Sequence, residues 1–61
     1  MNTFLKSQCK NMMVMVSTFE QSCKMAAMYD DGSISSEEEK ALKAINEAAE
    51  KFKRELSIIA E

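Results

Sequence analysis

The sequence predicts an all-α protein, an antiparallel two-helix hairpin that dimerises into a four-helix bundle. Three observations lead to this fold class. The 61 residues include no Pro and one Gly, Gly32, so nothing breaks a helix on either side of it. Apolar residues on both sides recur at alternating spacings of three and four, the pattern of packed amphipathic helices. The Gly follows Asp30 and Asp31, a combination typical of a tight turn.

The first helix is predicted from about residue 3 to residue 29, with Thr3 as a weak N-cap. Its apolar residues form an unbroken heptad seam, meaning the row of side chains expected to touch the other helix. The predicted seam residues of this helix are Leu5, Cys9, Met12, Val16, Phe19, Cys23 and Ala26.

The second helix is predicted from about residue 36 to residue 60, after a turn over about 30–35. Two overlapping capping boxes mark its start, Ser35 with Glu38 and Ser36 with Glu39. Two helices of similar length and a short turn favour one hairpin domain over residues 1–61. The predicted seam residues of the second helix are Leu42, Ile45, Ala49, Phe52, Leu56 and Ile59.

The composition argues against an enzyme. There is no His for acid–base work, and neither Cys9 nor Cys23 has a visible activating partner. We therefore expect no catalytic residues, no metal site and no cofactor. The cysteines stand fourteen residues apart in one helix, about 21 Å at the helical rise, so they are expected to stay reduced unless two chains cross-link.

The net charge of −2 is unevenly distributed, because residues 1–29 are mildly basic and the remainder is acidic. This balance is not that of a protein that neutralises many phosphates. The longest apolar run, 12–16, is too short to cross a membrane, and no signal-peptide pattern is present. The chain is therefore expected to be cytoplasmic and not bound to a membrane.

The first helix carries more apolar side chains than one seam requires. Contiguous exposed apolar surface usually marks an interface. The favoured interpretation is a homodimer; the alternatives are a Met-rich surface for another protein and an amphipathic helix lying on a membrane. The function expected is a small protein–protein interaction or regulatory module. The predicted interface residues are Met12, Met13, Met15, Val16, Phe19, Met25 and Met28.

Two local or architectural resemblances accompany this interpretation. Residues 31–38 resemble the second half of an EF-hand calcium loop, but its first and third positions would be Ala27 and Tyr29, which lack carboxylates. The overall plan resembles the Rop type of plasmid RNA-binding regulator, a short helical hairpin that dimerises. That resemblance implies an alternative function, nucleic-acid binding through the first helix, with Lys6, Lys10 and Lys24 as candidate contacts.

Overall fold

The computed structural model describes residues 2–29 and 32–61 and contains two helices that pack against each other. Helix α1 spans Thr3–Met28 and helix α2 spans Ser36–Ala60. The predicted all-α hairpin is thereby confirmed, while the turn residues Asp30 and Asp31 lie outside the described residues. In the described part of the chain, neither helix combines the length and apolarity that a membrane span requires.

The N-cap of helix α1 lies one residue earlier than predicted. The N-cap is Asn2, whose side-chain oxygen accepts a hydrogen bond from the backbone N–H of Leu5 at 2.7 Å. Thr3 is already the first helical residue, so the expectation that it caps the helix was wrong. Asn is among the strongest N-cap residues, and it satisfies a backbone donor that the helix itself leaves without a partner.

The start of α2 follows the first of the two predicted capping boxes. The N–H of Glu38 donates to the hydroxyl of Ser35 at 3.2 Å, and the N–H of Ser35 donates to the carboxylate of Glu38 at 2.8 Å. The second predicted box, Ser36 with Glu39, does not form, because Ser36 is the first residue of the helix and not its N-cap. The Glu38 carboxylate, which the calcium-loop resemblance needs as a ligand, is therefore engaged in capping.

Gly32 ends the first helix as the turn chemistry predicts. Its φ is +74°, in the left-handed region that only glycine adopts without a steric penalty. In this conformation its N–H donates to the carbonyl of Met28 at 3.0 Å and so satisfies one of the last carbonyls of α1. The hairpin is therefore closed by a local backbone constraint as well as by packing.

The seam that the helices form differs from the predicted one by a small rotation of α1. Cys9, Val16 and Cys23 lie at the contact as predicted, but Leu5, Met12 and Phe19 are exposed and their following neighbours point inward. Helix α2 is rotated in the same way over its last half, where Phe52 and Ile59 are exposed. The observed seam consists of Lys6, Cys9, Met13, Val16, Glu20, Cys23 and Ala27 on α1, and Leu42, Ile45, Ala49, Lys53, Leu56 and Ala60 on α2.

Small side chains explain why the aromatic residues are not in this seam. Two of the three buried residues among those described, Cys9 and Ala49, have short side chains, and Leu56 is the third. Short side chains allow two helix backbones to approach closely, and a phenyl ring does not fit between them. Phe19 and Phe52 are 57% and 43% exposed. The prediction that both rings form the hairpin core was wrong.

The hairpin is a single layer. Its Cα atoms extend over 46 × 16 × 9 Å, so the fold is two helices wide and one helix thick. The radius of gyration is 14.3 Å, against about 10.5 Å for a compact domain of this length. Each helix therefore covers the seam of the other helix, whereas the broad faces of the layer are not covered.

Replacing Leu56 by Ala should destabilise the protein by about 2–5 kcal/mol, because Leu56 is the largest buried side chain of the seam and its loss leaves a cavity. Thermal unfolding followed by circular dichroism measures the change. The matched control is Ile58→Ala on the same helix, where the side chain is 69% exposed. Equal melting temperatures for the two variants would contradict the observed seam.

Candidate protein-interaction surface

One long side of the hairpin is predominantly apolar, and we call it the apolar flank; the exposed Glu55, seven residues after Ala48, lies on the same side of α2. On α1 the flank is a row of residues seven apart, and on α2 it follows two adjacent rows that run antiparallel to the first. Residues seven apart lie on nearly the same line of a helix, so each row is continuous. The apolar flank consists of Leu5, Met12, Phe19 and Ala26 on α1, and Ala41, Ile45, Ala48, Phe52 and Ile59 on α2.

A groove lies at the middle of the apolar flank, between the two helices. It has a volume of about 270 Å³ and its lining is entirely apolar. Phe19 and Phe52 form two of its walls, and Ala48 and Ala49 form the floor between larger side chains. Large side chains beside small ones give a surface with relief, which is the shape that an inserted side chain of a partner requires.

The structure brings together some of the predicted interface residues and separates the others. Met12 and Phe19 lie on the apolar flank, and Met15 stands at its outer edge, 60% exposed. Met13 and Val16 are half-buried in the seam. Met25 and Met28 are exposed on sides of α1 that face away from the flank.

The contribution of α2 to this surface was not predicted. The heptad spacing predicts Ile45, Phe52 and Ile59 as seam residues. The sequence does contain the signal, because these three large residues recur at intervals of seven and the seam itself needs only one such row. With two rows per helix, one row can face the other helix and one can face a partner.

The opposite side of the hairpin is polar and is organised around Lys53. The Lys53 ammonium lies 2.9 Å from the carboxylate of Glu20 and 2.6 Å from that of Glu50, and it donates to the hydroxyl of Ser17 at 3.1 Å. Glu20 and Ser17 belong to α1, so this cluster links the helices. A shallow cavity of about 270 Å³ beside it is lined by Gln21 and Asn46, among other residues.

These contacts shift two ionisation equilibria. The hydrogen bond from Lys53 lowers the pKa of Glu50 below its ordinary value, since it stabilises the charged carboxylate. The hydrogen bonds to Glu50 and then to Glu20 raise the pKa of Lys53 above its ordinary value. Both shifts favour the charged forms, so the cluster is an ion network that links the two helices.

The three lysines proposed as nucleic-acid contacts do not form one patch. Lys6 donates to the backbone carbonyl of Glu61 at 2.6 Å and closes the open end of the hairpin. Lys10 is exposed. Lys24 lines the polar cavity together with Glu20 and Lys53, so charges of both signs surround it.

Comparison with known proteins gives no family for this chain. No protein-family model matches it, and no curated protein or solved structure matches it either. Among residues 2–29 and 32–61, no group of three or more His, Cys, Asp or Glu side chains is placed to hold a metal ion.

Replacing Glu50 by Gln should lower the melting temperature at pH 7, and the difference from the native protein should vanish in acid. A carboxylate whose folded-state pKa is lowered adds stability above its unfolded pKa, near 4.5, and that stability is lost as the pH falls through the folded value. Melting curves at several pH values measure it. Glu47→Gln, outside the cluster, is the control. A difference that persists unchanged at low pH would contradict the ionic origin.

Proposed function

We propose that this protein is a small, non-enzymatic interaction and regulatory module that binds through its apolar flank, and that a second copy of the chain is its partner. Two hairpins joined at this surface form a four-helix bundle. The observation that carries the proposal is the apolar flank itself, which runs the length of both helices and includes two aromatic rings that are about half exposed. Contiguous exposed apolar surface of this kind marks interaction sites.

The single-layer shape supports an external partner. A helix must bury its apolar stripe against other elements. Stable domains are therefore built from at least two packed layers around a core. Only Cys9, Ala49 and Leu56 are buried in the described part of the chain, and no large side chain there is fully buried. A second layer placed on the apolar flank would enclose Phe19 and Phe52 and provide the missing core.

The exposed area supports a partner of the size of a second copy. The accessible surface is 4990 Å², whereas a folded monomer of this mass exposes about 4,000 Å². The excess of about 1,000 Å² is close to the area, about 800 Å², that each partner buries in an interface of standard size. A second hairpin presents a face of equal length and width, so it can cover the whole flank.

The pattern of apolar residues supports a bundle in particular. A helix in a four-helix bundle contacts two neighbours and needs an apolar face of about three residues in seven. Helix α1 has such a face, because Cys9 and Met13 point at α2 while Met12 points to the side. In a bundle the first two would pack within one hairpin and the third would pack across the interface.

Methionine at this surface supports a regulatory use. Met12 lies on the apolar flank and Met15 at its edge, and methionine adapts its shape to irregular partners. An amphipathic helix of another protein can therefore replace the second copy on the same flank. Nucleic-acid binding of the Rop kind has no comparable support, because the lysines of α1 are dispersed and one of them contacts the chain terminus.

The purified protein should have twice the mass of a 6.9 kDa chain by light scattering behind a sizing column, with reductant present. Phe19→Glu with Phe52→Glu should give a monomer, because two buried carboxylates facing two more from the partner cannot be accommodated in an apolar core. Met25→Glu with Ile58→Glu is the matched control. Both control residues are 69% exposed and lie away from the flank, so this variant should remain dimeric.

The melting temperature of the native protein should rise with protein concentration, since association stabilises the folded state by mass action. That of the Phe19→Glu, Phe52→Glu variant should not. A native protein that is monomeric and melts at a fixed temperature over a wide concentration range would refute self-association. A dimer that survives the two glutamates would place the interface elsewhere.

A further inference from the structure

The apolar flank is not uniform along its length. Near the open end, where the two termini meet and Lys6 contacts Glu61, the flank residues are Leu5 and Ile59, followed by Met12 and Phe52. Near the turn, the flank residues are Ala26 and Ala41, which are exposed and small. The larger flank side chains therefore lie mainly towards the open end, Phe19 and Ile45 lie near the middle, and alanines lie near the turn.

The groove lies close to the midpoint of this gradient. Its lining residues come from the middle of α1, at Val16 and Phe19, and from the middle of α2, at Ala48 and Ala49. An interface between two identical copies is self-complementary about its two-fold axis. A two-fold axis through the groove, perpendicular to the helices, would pair the bulky half of one copy with the small half of the other.

We infer that the two copies pack with their turns at opposite ends of the bundle, an arrangement that rests on the proposed self-association. Leu5 and Ile59 of one hairpin then lie over Ala26 and Ala41 of the other, and the two grooves face each other at the centre. Large side chains opposite small ones fill an interface at the density of a protein interior.

The alternative arrangement, with both turns at one end, packs less well. It would place the bulky open ends against each other and would leave Ala26 and Ala41 facing the alanines of the other copy. The layers would be forced apart at one end and would leave voids at the other. Voids and overpacking both destabilise a core.

Charge permits the arrangement that we infer. With the turns at opposite ends, α1 of one copy lies beside α1 of the other. The outer edge of the apolar flank on α1 carries Gln8, Met15 and Ser22, which are exposed and uncharged. Two copies of α1 can therefore approach without the like-charge repulsion that would oppose the contact.

Energy transfer between two labelled positions tests the orientation. Phe4 is near the open end and Lys40 is near the turn, and both are exposed. Each is changed to Cys in a Cys9→Ala, Cys23→Ala background, and the mass of each labelled chain is checked first. A donor on one chain and an acceptor on another then report only on distances between copies.

With the turns at opposite ends, a Phe4→Cys donor should transfer strongly to a Lys40→Cys acceptor, and Lys40→Cys chains should transfer weakly to each other. Two Lys40 positions would be separated by about 30 Å along the bundle, given the helical rise of about 1.5 Å per residue. The inferred orientation alone would be overturned if a protein of dimeric mass transferred energy between two Lys40→Cys positions as efficiently as, or more efficiently than, from Phe4→Cys to Lys40→Cys. A monomeric mass of the native protein would instead overturn the proposed self-association.

Discussion

Two helices lying side by side cannot cover an apolar stripe that is three residues wide. Each helix of this protein has such a stripe, and only one edge of it can face the other helix. The remaining edge stays on the surface, and the rest of the structure is arranged around that limit. Two of the three described residues buried at the contact between the helices, Cys9 and Ala49, have short side chains, and the rings of Phe19 and Phe52 are partly exposed.

The contacts of Lys53 are consistent with the edge of the stripe that is turned inward. Its ammonium contacts Glu20 and Ser17 on the other helix and Glu50 on its own. An exposed ion pair adds little stability by itself, but Lys53 has two partners on the other helix, and turning either helix breaks both of these contacts. The same rotation that joins these charges sends Phe52, the preceding residue, towards the opposite flank. The ion cluster and the apolar flank therefore lie on opposite sides of the hairpin.

The hairpin was predictable from the sequence, and the rotation of its helices was not. The absence of Pro, the heptad spacing and the Ser35–Glu38 capping box are local signals, and all correspond to observed features. The choice between Phe19 and Glu20 as the inward residue is not local. Heptad reasoning selects the apolar residue of such a pair, whereas the structure places Glu20 inward because Lys53 lies opposite it. Spacing within one helix contains no information about the charge on its neighbour.

The proposed self-association would tie the persistence of this single-layer fold to the number of chains present. A hairpin whose core is completed by association gains stability with the logarithm of chain concentration, and solitary chains would expose apolar surface on which proteases and chaperones act. Under that proposal the protein would have an abundance threshold. Below it most molecules would be short-lived, and above it they would protect one another, so the synthesis rate alone would convert a gradual input into a sharper output.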